Sequence, residues 1–157
     1  MKKGHIVLIV VASVVAFLLI VPLTMLFQFA FLGDDSGDNV NIEIDSFRLC
    51  RDSDGEDIII IKYLLENNGQ ETASLSFEGD FTVFQGGVSL FECEYDLPKE
   101  CNYDSNEQYR ELKGGVKYYA EIAYVLEYPE KDVEVEVDDY TFFGDNKKTK
   151  VFKIATD

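Results

Sequence analysis

The sequence contains no tryptophan, a single histidine, two methionines, three prolines and three cysteines in 157 residues. Each scarcity narrows what the chain can do. The one histidine is His5, so the residues after it cannot supply a Ser-His-Asp or Cys-His catalytic unit, nor a histidine metal site. Without tryptophan there is no indole platform on which a sugar ring could stack. A carboxylate pair for glycoside hydrolysis leaves no readable signal, because acidic side chains occur throughout.

Basic residues are also scarce, fourteen against thirty acidic ones. All thirty acidic side chains lie after residue 33 with twelve of the basic ones, which leaves that part of the chain at −18. Such a charge repels phosphate backbones and anionic membrane surfaces, and it argues against nucleic-acid binding. Its simplest role is to keep an exposed domain solvated.

Residues 4–33 contain no Asp, Glu, Lys or Arg. From Ile6 to Leu32 the run is apolar apart from Ser13, Pro22, Thr24 and Gln28. At about 1.5 Å per residue a helix over this run spans a hydrocarbon core of about 30 Å. The reading is a single transmembrane helix over 6–30, with cytoplasmic residues 1–5 held inside by Lys2 and Lys3. An acidic flexible linker follows at 31–40, and an extracellular domain occupies 41–157. The alternative is a secreted protein released by cleavage near residues 30–37. Cutting after Ala30 or Gly33 would leave Gln28 or Phe31 where a small residue is needed. The first cysteine, Cys50, is too far along for a lipoprotein signal.

Past Asn39 the hydrophobic period becomes two. Val40, Ile42 and Ile44 alternate with polar residues, then Phe47 and Leu49 take the opposite parity, predicting a bulge near Ser46. Asp54-Gly55 reads as a hairpin turn, and DIIIIKYLLE as a central strand covered on both faces. A further strand is expected to include Leu75, Phe77, Phe81 and Val83. Gly86-Gly87 turns the chain into VSLFEC. Residues 94–110 are polar and aperiodic, the longest loop. In VKYYAEIAYVLEY the residues Tyr118, Ala120, Ile122, Tyr124 and Leu126 form one stripe. Val133, Val135 and Val137 form another, and KTKVFKIA closes the chain. About seven strands without an amphipathic helix predict an all-β antiparallel sandwich, with a closed barrel as the alternative.

Three features invite a site. Cys93 and Cys101 flank EYDLPKE and are the pair their spacing suggests as a disulfide, leaving Cys50 as a small apolar residue or an intermolecular partner. Asp52, Asp54, Glu56 and Asp57 crowd one turn and offer oxygens to calcium. However, DSDGED has Gly at its fourth position, where the EF-hand loop needs it at the sixth, so a solvated turn is the better reading. Tyr95, Tyr103 and Tyr109 lie in or beside the long loop and suit a recognition surface, unless they pack back on the sheet. No catalytic, metal or cofactor residue is assigned.

Three stretches resemble an immunoglobulin-like domain-of-unknown-function family of secreted and membrane-anchored proteins from Gram-positive, largely gut-dwelling bacteria. They are IIIIKYLLENNGQETASLSF, FTVFQGGVSLFEC and LKGGVKYYAEIAYVLE. Its distant relatives include telomeric-repeat-binding-like domains and a mycobacterial secreted antigen. Gly114 stands where many members have Pro, and no lipobox cysteine precedes the domain. The resemblance implies an immunoglobulin-like sandwich and carries no functional residues. The function expected is a membrane-anchored extracytoplasmic binding or scaffolding domain, without catalysis and with an unidentified protein or envelope ligand. An envelope hydrolase is the third class.

Overall fold

Alternating side chains that bury one face need a second layer to bury it against, and two sheets supply it. The computed structural model describes residues 40–140 and 147–154. One antiparallel sheet contains β1 (Val40–Arg51), β2 (Asp57–Asn67) and β5 (Val116–Val125), in the order β1-β2-β5. The other contains β3 (Gly79–Gln85), β4 (Val88–Ser89), β6 (Val133–Asp139) and β7 (Lys147–Phe152), in the order β4-β3-β6-β7. The barrel alternative is therefore set aside. The expected cytoplasmic end, transmembrane helix and most of the linker lie outside the described residues. Among the described residues no helix is long and apolar enough to cross a membrane.

The inner faces meet in one core. Ile59, Ile61, Tyr63 and Leu65 of β2 and Ala120, Ile122 and Tyr124 of β5 pack against Val83, Val133, Val135 and Val137. Phe47 and Phe152 bring their rings within 4.8 Å, and Tyr63 meets Phe81 edge-on at 4.9 Å. Full burial of each aliphatic side chain stabilises the fold by about 1.5–3 kcal/mol. The change of parity in β1 is a bulge, because the register with β2 slips between Ile44 and Ser46. Gly55 (φ 87°) turns β1 into β2, as its sequence suggests.

Four residues depart from the expected strand. Leu75–Glu78 form one helical turn, α1, before β3 begins. Here the chain passes from one sheet to the other. The Phe77 N–H donates to Ser74 O, which bends the backbone and leaves Phe77 72% exposed instead of in line with Phe81.

After β4 the chain leaves its sheet and joins the other. Residues 91–93 run along the free edge of β5, where Val125 N–H donates to Phe91 O and Cys93 N–H to Ala123 O. The segment then crosses the outer face of the three-stranded sheet. Cys93, Cys101, Leu97 and Tyr103 cover Ile58, Ile60 and Ala123 in a second apolar cluster. This cover is why β2 is apolar on both parities.

Candidate functional site

The covering loop is pinned at β1, and the pin corrects the disulfide expected at Cys93–Cys101. The bond joins Cys50 to Cys101, with Cα atoms 5.5 Å apart, and Cys93 is a buried free thiol. Cys93 is fixed at the β5 edge by its bond to Ala123, whereas Cys101 has been carried across β2 to β1. Closeness in sequence misleads here because the seven intervening residues span the sheet. Burial pushes the Cys93 thiol up to about 11, so it stays protonated at neutral pH.

A second pin lies beside the disulfide. Arg48 of β1 pairs with Glu121 of β5 and donates from Nη2 to Cys101 O at 3.1 Å and Asn102 O at 2.8 Å. Asn102 itself adopts the left-handed conformation (φ 48°), ending the 3₁₀ turn Lys99–Cys101. The planar guanidinium thus joins two strands and the loop in one network.

The acidic turn holds its own backbone. Asp52 Oδ1 accepts the N–H groups of Asp54 at 2.9 Å and Glu56 at 2.8 Å, and Oδ2 accepts the Tyr95 hydroxyl at 2.9 Å. Burial opposes ionisation of Asp52, but these bonds outweigh it and hold the carboxyl below its usual range. Arg51 takes Asp57 in an ion pair at 2.9 Å. Among the described residues no group of three or more His, Cys, Asp or Glu is placed to hold a metal ion.

Between the loop and the uncovered part of the outer face lies an open cleft of about 600 Å³. Its floor is Lys62 of β2 with Tyr119 and Glu121 of β5, and its wall is formed by Leu97, Lys99 and Tyr103 of the loop. Lys62 Nζ sits over the Tyr119 ring, 4.1 Å from its centroid. A smaller cavity of about 280 Å³ adjoins it, sharing Leu97, Lys99, Tyr103 and Asp104 and reaching Tyr95. The volume of the larger cleft falls within the range of ligand sites.

The three loop tyrosines separate here. Tyr103 packs on the second apolar cluster and lines both cavities, and burial pushes its hydroxyl up to about 12. Tyr95 is held by Asp52 at the rim of the smaller cavity. Tyr109 is exposed at the end of the 3₁₀ turn Ser105–Tyr109 and lines neither. Sequence reasoning missed Arg48, Lys62, Lys99 and Tyr119. Tyr119 carried a signal, since it stands on the polar parity of β5 between Lys117 and Glu121, opposite the buried stripe.

No curated protein matches this sequence. Among solved structures, the chain is similar to a "putative lipoprotein" (ycdA) from Bacillus subtilis, with TM-score 0.54 and 14% identity. That likeness covers 76% of this chain, which spans 38% of the Bacillus protein. It is also similar to a "putative lipoprotein" from Staphylococcus aureus, with TM-score 0.57 and 16% identity over 74% of this chain and 85% of that one. At these identities the likeness is one of fold. Residues 34–139 match the family described as Domain of unknown function (DUF5067), and the chain belongs to that family.

Proposed function

We propose that the protein is a membrane-anchored extracytoplasmic binding domain without catalytic chemistry, displayed outside a Gram-positive membrane. The observation that carries this reading is the cleft on the outer face, whose loop wall is held by the Cys50–Cys101 bond and Arg48. A wall tied down in advance loses little entropy when a ligand enters. The cleft is lined by tyrosine, lysine and carboxylate without a nucleophile–base pair, which fits binding better than turnover.

The location rests on other support. The uncharged run from Ile6 to Leu32 has the length of a membrane span. A disulfide is expected in an oxidising compartment. Two structures of like fold are described as "putative lipoprotein", in keeping with attachment at the cell envelope. The strand order supports an immunoglobulin-like sandwich: with 91–93 beside β5 the sheets read as A-B-E-D and C′-C-F-G.

Sedimentation with detergent-extracted cell envelope, the chain kept in nonionic detergent so that its apolar run cannot insert, tests the binding claim. The wild-type chain is expected to pellet with envelope, while Tyr119→Ala and Leu97→Asp reduce the bound fraction several-fold. Phe77→Ala, an exposed change on α1, is expected to leave it unchanged. Equal retention of all four chains would reject the cleft as the binding site.

A further inference from the structure

We infer that the cleft takes an oxyanion, a carboxylate or phosphate carried on a larger ligand, between the ammonium groups of Lys62 and Lys99. The inference rests on the cleft being the binding site and adds the chemistry of what enters it. Hydrogen-bond accounting carries it. Of the carboxylates around the cleft, Glu121 is engaged fully and Asp104 through one oxygen. Glu121 is held by Arg48. Asp104 Oδ1 accepts both the backbone N–H of Asn106 at 2.9 Å and its Nδ2 at 2.8 Å, and Oδ2 makes no hydrogen bond among the described residues. Glu107 lies beside Tyr118, whose ring carries the Arg110 guanidinium 5.2 Å from its centroid.

The donors are in the opposite condition. Among the described residues, neither Lys62 nor Lys99 forms an ion pair, although six other pairs are present. Lys62 rests on the Tyr119 ring, and the N–H bonds that face away from the ring are open to an acceptor. Arg110, Lys113, Lys131 and Lys150 also stand outside these six pairs; what sets Lys62 and Lys99 apart is that both line the same cleft, where one acceptor from outside can meet them together. Glu121 and one oxygen of Asp104 are taken up within the chain while both ammonium groups are open, so the ligand supplies the negative group that the two lysines lack. The acidic surface repels such a ligand at long range. Screening confines that repulsion to about 8–10 Å at moderate salt, while the ammonium contacts act at hydrogen-bond distance.

The test uses the full chain in nonionic detergent and three labelled probes: a glycerol-phosphate oligomer, an oligogalacturonate and a neutral maltooligosaccharide. At least one anionic probe is expected to bind more tightly than the neutral one, and which of the two does so tells phosphate from carboxylate. Lys62→Gln and Lys99→Gln are each expected to weaken that binding about ten-fold, the loss of one charge-assisted hydrogen bond. Lys153→Gln, whose ammonium pairs with Asp132 outside the cleft, is expected to leave it unchanged. Near-ultraviolet circular dichroism reports that each variant is folded. Anionic probes that bind no better than the neutral one, or equal weakening by all three lysine variants, would overturn the inference. If the anionic probes fail while envelope binding still depends on Tyr119 and Leu97, the oxyanion is wrong and the cleft stands. If envelope binding is also independent of those residues, both fall.

Discussion

Cys101 shows how much one residue's place in the fold decides. It ties β1 to the covering loop across 51 residues, and closing a loop of that size stabilises by about 2–4 kcal/mol. Cys101→Ser is therefore expected to lower the urea midpoint strongly, and Cys93→Ala to lower it less. Non-reducing peptide mapping should recover the Cys50 and Cys101 peptides joined, and a Cys93–Cys101 peptide would contradict the fold described. Intact protein is expected to leave Cys93 unalkylated by iodoacetamide at pH 8, with rapid reaction after denaturation. Asp52 carries the pH dependence at this scale. Its folded pKa lies below the ordinary value of 3.8, so its contribution is complete above that value. The contribution fades as pH falls through the lower folded value. Asp52→Asn is thus expected to be less stable than wild type at pH 6, with the gap closing towards pH 3. A gap that stays constant with pH would show that the carboxylate charge is not what holds the turn.

Among the elements, β2 is the most informative. Its Ile59 and Ile61 face the main core, while Ile58 and Ile60 face the loop. Both Ile61→Ala and Ile60→Ala are expected to cost about 2–5 kcal/mol in chemical denaturation. A small cost at Ile60 would mean that the loop does not cover that face in solution. The free edge of β1 is managed differently. Lys148 and Lys150 of β7 reach over and donate to Ile42 O, Ile44 O and Asp45 O at 2.6–2.9 Å, blocking the carbonyls another strand would use. Period-two alternation made most of these elements legible beforehand, including the bulge of β1 and the double-sided burial of β2. The helical turn Leu75–Glu78 was not legible, because alternation of Leu75 and Phe77 with polar residues also fits one turn of helix at a corner. The loop's path was hidden for a related reason. A polar, aperiodic stretch says where a strand ends but not which face the chain then crosses. The cysteine pairing and the lysine pair of the cleft depend on that path. Tyr95 and Tyr103 could be picked out by residue type alone, but what each one touches could not.

The whole molecule has two parts, an uncharged N-terminal run and an acidic sandwich bearing a pinned cleft. The proposed function, binding at the cell surface, needs the first part to hold the second outside the membrane. The direct test is fractionation of cells expressing the full chain, with a carbonate wash of the membranes and protease added to intact cells. The chain is expected to stay in the washed membrane pellet, and external protease is expected to reach the domain. Recovery from the culture medium, or from membranes whose domain is shielded in intact cells, would contradict this placement.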